Sequence, residues 1–298
     1  MTYFVSRRSF LAASAGVAGA TWFDLLPAAR AADEAAADEA AANSAANSPE
    51  YYGGLPIGIQ SYTLRKFKTE DVIRHIQGLG LQYVEFFGAH FSPESSPEQI
   101  AAMKQTLAAA KIKLNAHGVH NFTKDHEANK KLFTFAKAAG IRNITANPQP
   151  DSFDSLDKLC EEFDIRIAIH NHGPGALYDG LETVTERVKD RHKLIGACVD
   201  TGHVLRSDED PVKWVRELGP RVFALHVKDV AEKKDRTHDV IIGKGHLDVV
   251  GLFEAVRAVK FPADGTISME YEANPDNPVD DVRACLEVAR EAIAKAMG

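Results

Sequence analysis

The chain has 298 residues, of which 45% are hydrophobic, so it is long and apolar enough to bury the core of at least one ordinary domain. Asp and Glu number 42 against 35 Lys and Arg, and a net charge of −7 without a basic cluster argues against a nucleic acid as partner. The 3 cysteines, Cys160, Cys198 and Cys285, are widely separated, so we expect buried thiols rather than a disulfide framework.

Residues 1–31 have the features of a twin-arginine signal peptide rather than of a folded element. The segment Ser6-Arg7-Arg8-Ser9-Phe10-Leu11 precedes a short apolar stretch, and Ala29-Arg30-Ala31 offers a cleavage site of small residues. A membrane anchor is the alternative, but the apolar stretch is short and rich in Ala and Gly. We therefore expect export to the periplasm, with no stable membrane span once the signal is removed.

Residues 32–50 are predicted to form a disordered linker. They consist almost entirely of Ala, Asp, Glu, Asn and Ser, with no large apolar residue, so they cannot bury enough surface to fold. The globular part is expected to span residues 51–298, which is the usual size of a single (β/α)8 barrel.

Eight strand-like runs alternate with helix-like segments in the remainder of the chain. Thr69, Ser152 and Asp210 are plausible helix starts, the last because Pro211 follows it in the first helical turn. This alternation predicts parallel strands with helical crossovers, and a single-domain α/β TIM barrel accounts for eight units better than an open doubly wound sheet. The predicted strands are Ile57–Ser61, Gln82–Phe87, Lys113–Val119, Asn143–Ala146, Arg166–His172, Ile195–Asp200, Val222–Lys228 and Thr266–Glu272.

Side-chain alternation predicts which face of each late strand points into the barrel. Because helices cover the outside, the bulky face is expected to point outward and the polar strand ends to converge at the mouth, where such barrels keep their active sites. The bulky residues are Ile167, Ile169, Val199, Phe223, Leu225, Val227, Ile267, Met269 and Tyr271. The polar ends are His170, His172, Asp200, His226, Lys228, Glu270 and Glu272. This convergence of His, Asp and Glu predicts a bound divalent cation.

Four motifs in this half of the chain are more specific: Val199-Asp200-Thr201-Gly202-His203, Leu225-His226-Val227-Lys228-Asp229, Gly243-Lys244-Gly245 and Met269-Glu270. With them, residues 55–298 resemble the xylose-isomerase-like TIM-barrel superfamily, the sugar isomerase and epimerase group. The resemblance implies one divalent cation held by the ends of the fifth to eighth strands. Asp200, His226 and Glu270 match the family in residue type, whereas His170 stands at the fifth-strand position that is commonly Glu.

The histidine at the fifth strand changes the expected metal preference. With His170, Asp200, His226 and Glu270 as ligands, the set carries two negative charges instead of three. Two imidazoles favour Mn, Zn, Co or Fe over Mg, which prefers oxygen ligands. The alternative is that His170 binds substrate and that the cation keeps three protein ligands.

Three residues beside this set are candidate catalytic groups. His172 lies two residues beyond His170, and in dehydratases of the superfamily a histidine at this offset looks like the general base. Glu272 is a second candidate acid or base, and Lys228 is a candidate for stabilising an enolate oxygen. The alternative for Glu272 and Lys228 is an ordinary ion pair between them.

Substrate-binding residues are expected around the same mouth. Family analogy places His203 on the substrate, with orientation of a metal ligand as the alternative role. Lys228 is a candidate substrate contact as well, and Glu85 and His117, from the second and third strands, are expected to bind sugar hydroxyls. Residues 231–247 exceed the length of a normal barrel loop and are either a lid or a solvated insertion.

The leading functional hypothesis is an isomerase or epimerase acting on a sugar or keto-sugar. A base would remove the proton next to a carbonyl, and the cation would stabilise the enediolate. A lyase or dehydratase that eliminates across a keto-sugar or 3-keto-glycoside is the alternative, because it shares this half-reaction. A non-catalytic periplasmic sugar-binding barrel and an apurinic-site endonuclease are less favoured, since the latter would need a histidine at Asn147 and a glutamate at His170. The expected partner is a small carbohydrate, and a homo-oligomer is compatible with the sequence.

Overall fold

The structure is a computed structural model that describes residues 49–298. The predicted signal peptide, residues 1–31, and residues 32–48 of the predicted linker lie outside the described residues and stay predictions. The barrel strands are β1 (Ile57–Gln60), β2 (Tyr83–Phe86), β3 (Lys113–Phe122), β4 (Asn143–Pro148), β5 (Arg166–His170), β6 (Ile195–Asp200), β7 (Val222–Val227) and β8 (Thr266–Met269). They form a closed parallel barrel in the order β1-β8-β7-β6-β5-β4-β3-β2, which confirms the predicted (β/α)8 fold.

Helices follow the strands and cover the barrel. They are α1 (Thr69–Gly78), α2 (Pro97–Ala109), α3 (His126–Ala139), α4 (Phe153–Phe163), α5 (Leu181–Lys189), α6 (Thr201–Arg206), α7 (Pro211–Leu218), α8 (Val249–Ala258) and α9 (Val279–Met297). Asp210 caps α7 as predicted, since its carboxylate accepts a hydrogen bond from the backbone N–H of Val212 and Pro211 is the first helical residue. Ser152 directly precedes α4, and Thr69 is the first residue of α1. Within residues 49–298, none of the helices combines the length and apolarity that a membrane span requires.

The barrel closes at β1, which pairs with β8 on one side and with β2 on the other. Gly58 permits this close approach, because a Cβ atom at that position would lie 2.5 Å from the carbonyl oxygen of Tyr83. Outside the barrel, the predicted bulky faces pack beneath the helices in one large core that includes Ile167, Val199 and Leu225. This core fixes the strand orientation, so that the opposite faces and the carboxyl ends of the strands enclose the site.

Phe223 departs from the predicted alternation. Instead of joining the core beneath the helices, it packs with Ala168, Cys198 and Ala224 in a separate buried cluster. The register between β6 and β7 shifts between Ala197 and Cys198, which changes the face that the start of β7 presents. A β-bulge of this kind is a feature of strand pairing, and alternation within one strand does not predict it.

The long loop after β7 folds against the barrel. Its two short strands, Asp229–Val230 and Asp239–Val240, pair antiparallel. The buried carboxylate of Asp229 accepts hydrogen bonds at 2.7 to 3.0 Å from the backbone N–H groups of Val230, Gly243, Gly245, His246 and Leu247. Residues 231–247 are therefore anchored at both ends, and both ends of this loop bond to protein groups rather than to solvent alone.

Candidate active site

Four buried side chains with metal-ligand chemistry meet at the carboxyl ends of β5 to β8. They are His170, Asp200, His226 and Glu270, and one ligand atom from each lies within 4.8 Å of the others. The Nε2 atom of His170 lies 3.2 Å from Oδ2 of Asp200. The Nδ1 atom of His226 lies 3.0 Å from Oε2 of Glu270. The structure thus brings together the four residues that the sequence predicts as a cation site.

The His226 side of this cluster fits a cation. His226 Nδ1 is buried without a hydrogen-bond partner and lies 3.0 Å from Oε2 of Glu270, whose other close neighbour is the ammonium of Lys228. Buried polar atoms are nearly always paired, so an unpaired nitrogen facing a carboxylate oxygen is suited to share a cation with it. Ligand bonds of about 2.0–2.2 Å would separate neighbouring ligand atoms by about 3–4 Å, which matches the 3.2 Å and 3.0 Å separations in the His170–Asp200 and His226–Glu270 pairs. The donor set of two imidazoles and two carboxylates is suited to a divalent transition metal.

Glu85 lies beneath this cluster and orients His226. Its Oε2 atom accepts hydrogen bonds of 2.9 Å from His226 Nε2 and from the hydroxyl of Ser268, and its Oε1 atom accepts one from Thr145. Because a carboxylate can only accept, Nε2 of His226 carries a proton, which leaves Nδ1 as the nitrogen that faces Asp200 and Glu270 and would bind a metal. Glu85 is completely buried and its oxygens bond to protein groups, so its expected role in binding sugar hydroxyls stays a prediction that this geometry does not favour.

The electrostatics of the Glu85 and His226 pair favour the charged carboxylate. Burial alone would raise the pKa of Glu85, but the neighbouring His226 and the three hydrogen bonds outweigh it and lower the pKa. Burial likewise opposes protonation of His226, yet Cys198, Glu85 and Glu270 raise its pKa well above the usual value. The carboxylates around His226 therefore create a strongly negative environment, which attracts a cation.

Lys228 supplies a positive charge within the same cluster. Its Nζ atom lies 3.1 Å from Asp200, 2.9 Å from Glu270 and 2.6 Å from Glu272. Burial opposes the charge, but these carboxylates hold the pKa of Lys228 well above its usual value, while Lys228 helps to lower the pKa of Asp200. The expected ion pair with Glu272 is present, and the ammonium group also borders the cavity.

A cavity of about 440 Å³ opens above the cluster and includes His172, His203 and Glu272 in its walls. The rings of His172 and His203 lie 5.0 Å apart, and the ring of His172 is 4.6 Å from that of His170. Burial lowers the pKa of His172 to about 4 and that of His203 to about 3. Both rings are therefore neutral at neutral pH, and a neutral ring can accept a proton.

His117 does not line this cavity, so its expected contact with sugar hydroxyls stays a prediction that this geometry does not favour. It is buried, and its Nε2 atom donates a 2.8 Å hydrogen bond to the carbonyl oxygen of Phe91. Its Nδ1 atom lies 2.6 Å from Nε2 of His120, so both ring nitrogens are paired. The register of β3 against β4 shifts between His117 and His120, which accounts for the altered direction of the side chain.

Sequence reasoning missed Arg206, Asp239 and Phe87 at the mouth. Arg206 borders the cavity and donates a 3.1 Å hydrogen bond to the buried carboxylate of Asp239. Asp239 in turn accepts one from the backbone N–H of Glu272. The spacing of Arg206, three residues after His203 on one helix, was a usable signal. No sequence signal pointed to Asp239, because only the folded loop brings it to the site.

Comparisons with known proteins agree with this architecture. The model of the xylose isomerase-like TIM barrel family matches residues 73–292. An inosose dehydratase from Clostridium botulinum (strain Eklund 17B / Type B) is 25% identical over 214 residues, which cover 58% of this chain and 68% of that protein. An inosose dehydratase from Bacillus anthracis (strain CDC 684 / NRRL 3495) is 29% identical over 123 residues, 39% of this chain and 38% of that protein.

Solved structures share the fold. An uncharacterised protein from Parabacteroides distasonis ATCC 8503 is 29% identical with a TM-score of 0.63, covering 80% of this chain and 98% of that one. A D-tagatose 3-epimerase-like protein is 19% identical with a TM-score of 0.66 and covers 82% of this chain and 98% of its own. The protein IolI with a bound zinc atom is 16% identical with a TM-score of 0.66, covering 81% and 99%. Because the last two structures are only 19% and 16% identical to this chain, their similarity concerns the fold alone.

Proposed function

The chain belongs to the xylose isomerase-like TIM barrel family, and from this premise we propose an enzyme that removes a proton next to the carbonyl group of a sugar or keto-sugar. The observation that carries the proposal is the buried cluster of His170, Asp200, His226 and Glu270 beneath an open cavity. A divalent metal bound there would polarise the substrate carbonyl as a Lewis acid. The two imidazoles support Mn, Zn, Co or Fe rather than Mg.

The side chains around the cavity are assigned complementary tasks in this proposal. His172, neutral and bordering the cavity beside His170, accepts the proton from carbon. The ammonium of Lys228 offsets negative charge that develops on the substrate oxygen. Its ion pairs hold it in position for this purpose. Glu272 and His203 line the same cavity and are proposed to contact substrate hydroxyls.

Elimination is the outcome that we favour after proton removal. The relatives that match in sequence are named inosose dehydratases, which supports a lyase. In elimination, the C–H electron pair forms a double bond as the neighbouring C–O bond breaks. The departing oxygen keeps the bonding electrons and takes up the proton that the base removed, so water or an alcohol is released and the base returns to its neutral form. Isomerisation or epimerisation is the second candidate.

Metal analysis combined with a keto-sugar panel in D₂O tests this proposal. We expect about one divalent metal per chain after growth in metal-containing medium, and substrate-dependent loss of water or alcohol detected by mass spectrometry. Uptake of one deuterium from D₂O, without loss of water or alcohol from the substrate, would support the isomerase or epimerase instead. A protein that binds no divalent metal and exchanges no carbon-bound proton would refute the proposed function altogether.

A further inference from the structure

The cavity above the metal cluster has two unlike sides. The side formed by the late strands is polar and contains the metal cluster and its neighbours. The opposite side comes from the first three strands and the segments that follow them, where Tyr62, Phe87 and Val119 face the cavity beside Gly88 and Gly118. We call Tyr62, Phe87 and Val119 the apolar wall.

The apolar wall is unusually exposed for hydrophobic residues. Tyr62 is 38% exposed and Val119 is 39% exposed. Within the described range 49–298, only Leu177 and Met297 among the other large hydrophobic residues are exposed to a comparable degree. Exposed apolar surface gathered at a cavity, rather than scattered singly, marks a surface that a ligand or partner covers.

The wall is also held in position relative to the polar side. The rings of Tyr62 and Phe87 meet edge to face at 5.4 Å, and the guanidinium of Arg65 lies 4.7 Å from the centre of the Tyr62 ring. Arg65 donates hydrogen bonds of 3.1 Å to the carbonyl oxygen of Tyr62 and 3.0 Å to that of Glu272. One side chain thus ties the wall to the segment that follows β8, which fixes the distance between the two sides.

We propose that the apolar wall binds the aglycone of a glycoside whose sugar ring reaches the metal cluster, so that the preferred substrate carries an apolar or aromatic aglycone. The wall and the cluster border one continuous cavity, and its volume of about 440 Å³ is in the range of pockets for drug-sized ligands. Aromatic side chains favour offset or edge-to-face contact with a second ring. The inference rests on the proposed elimination.

The elimination of the aglycone needs no reagent other than the substrate and the protein. In a 3-keto-glycoside, His172 takes the proton from carbon 2, and its electron pair forms the double bond to carbon 1. The bond from carbon 1 to the aglycone oxygen breaks, and that oxygen keeps the bonding electrons. The proton held by His172 then passes to this oxygen, directly or through water, which returns His172 to its neutral form. The products are an unsaturated keto-sugar and a free alcohol, which leaves the wall.

Benzyl and methyl 3-keto-β-glucosides provide the test, because both release simple alkyl alcohols and differ mainly in the ring. With the metal-loaded protein, kcat/KM is expected to be about tenfold higher for the benzyl compound. Tyr62→Ala should reduce this ratio about three- to tenfold, and Tyr62→Phe should retain it. Met297→Ala, which removes an exposed hydrophobic residue outside the cavity, is the control and should leave the ratio unchanged.

Calorimetry with the unoxidised benzyl and methyl β-glucosides measures binding without turnover. It distinguishes a failure of the proposed aglycone site from a failure of the proposed elimination. Equal kcat/KM values for both 3-keto compounds, unaffected by Tyr62→Ala, would overturn the aglycone site and leave the proposed function standing. Tighter, Tyr62-dependent binding of the benzyl compound without any turnover would support the site and refute the elimination. Equal binding and no turnover would overturn both.

Discussion

At the scale of single residues, the contrast between His226 and Glu85 is informative. The place of His226 in the proposed cation site was predictable, because a polar residue lies near the end of a buried strand in a motif that resembles a known family. The role of Glu85 was not, since it follows from a hydrogen bond to a residue 141 positions away on another strand. Residue type and strand position predict the proposed ligands, whereas the groups that orient them depend on tertiary packing.

Replacement of Glu85 by glutamine tests its orienting role. Glu85→Gln keeps the size of the side chain but weakens the charge-assisted hydrogen bond to His226. We expect metal affinity to fall about 10- to 100-fold, measured by competition with a chelator. Glu98→Gln, an exposed change on α2, is the matched control and should not affect affinity. Unchanged affinity in Glu85→Gln would contradict the role assigned to Glu85.

His172 is the residue whose replacement tests the chemical step. His172→Asn removes the proposed base and leaves the four residues of the proposed metal cluster unchanged, so metal content should stay the same. We expect kcat to fall about 10²- to 10⁴-fold with a smaller effect on KM. His238→Asn, an exposed substitution in the loop after β7, serves as control. A rise in KM with an unchanged kcat would assign His172 to substrate binding instead.

At the scale of elements, strand positions were predictable and strand pairing was not. All eight barrel strands begin and end near the predicted residues, because alternation of buried runs and amphipathic helices is a local property. The register shifts next to Glu85 and between His117 and His120 are properties of neighbouring strands. At β2 and β3 the side chains of Glu85 and His117 bond to protein groups, and alternation within a single strand does not predict such partners.

The loop after β7 offers a prediction at this scale. Asp229→Asn replaces one carboxylate oxygen by an NH2 group, which cannot accept hydrogen bonds from the backbone N–H groups of Gly243 and Gly245. We expect faster hydrogen exchange at residues 243–247 and a lower kcat/KM, because this loop carries Asp239 to the mouth. Asp235→Asn in the exposed part of the same loop is the control. Equal exchange in both variants would argue against Asp229 as the anchor.

At the scale of the whole molecule, buried histidines couple stability to pH. Burial lowers the pKa of His117 to about 4 and that of His120 to about 3, against the usual value of 6.5 for a histidine. Between pH 6.5 and about 4 the unfolded chain therefore binds more protons than the folded one, so the free energy of unfolding decreases as pH falls. From pH 7.5 to pH 5, His117 alone should account for about 2 kcal/mol.

Urea unfolding of chelator-treated protein at several pH values measures this dependence. The free energy of unfolding should decline most steeply below pH 6.5, and His120→Gln should make the decline shallower. His238→Asn, which alters an exposed histidine, should reproduce the slope of the unmodified protein. A free energy of unfolding that is equal at pH 7.5 and pH 5 would show that protonation of these buried rings does not limit stability in acid.

Closure of the barrel at β1 and β8 has a consequence for the synthesis of the protein. The strand that completes the barrel is the last one to leave the ribosome, and Glu270, which follows it directly, completes the proposed cation site. A nascent chain that ends before this strand holds His170, Asp200 and His226 but lacks the closed barrel in which they converge. For the proposed site, we therefore expect metal capture only by chains that include this strand, so incomplete translation products should not compete for the cation.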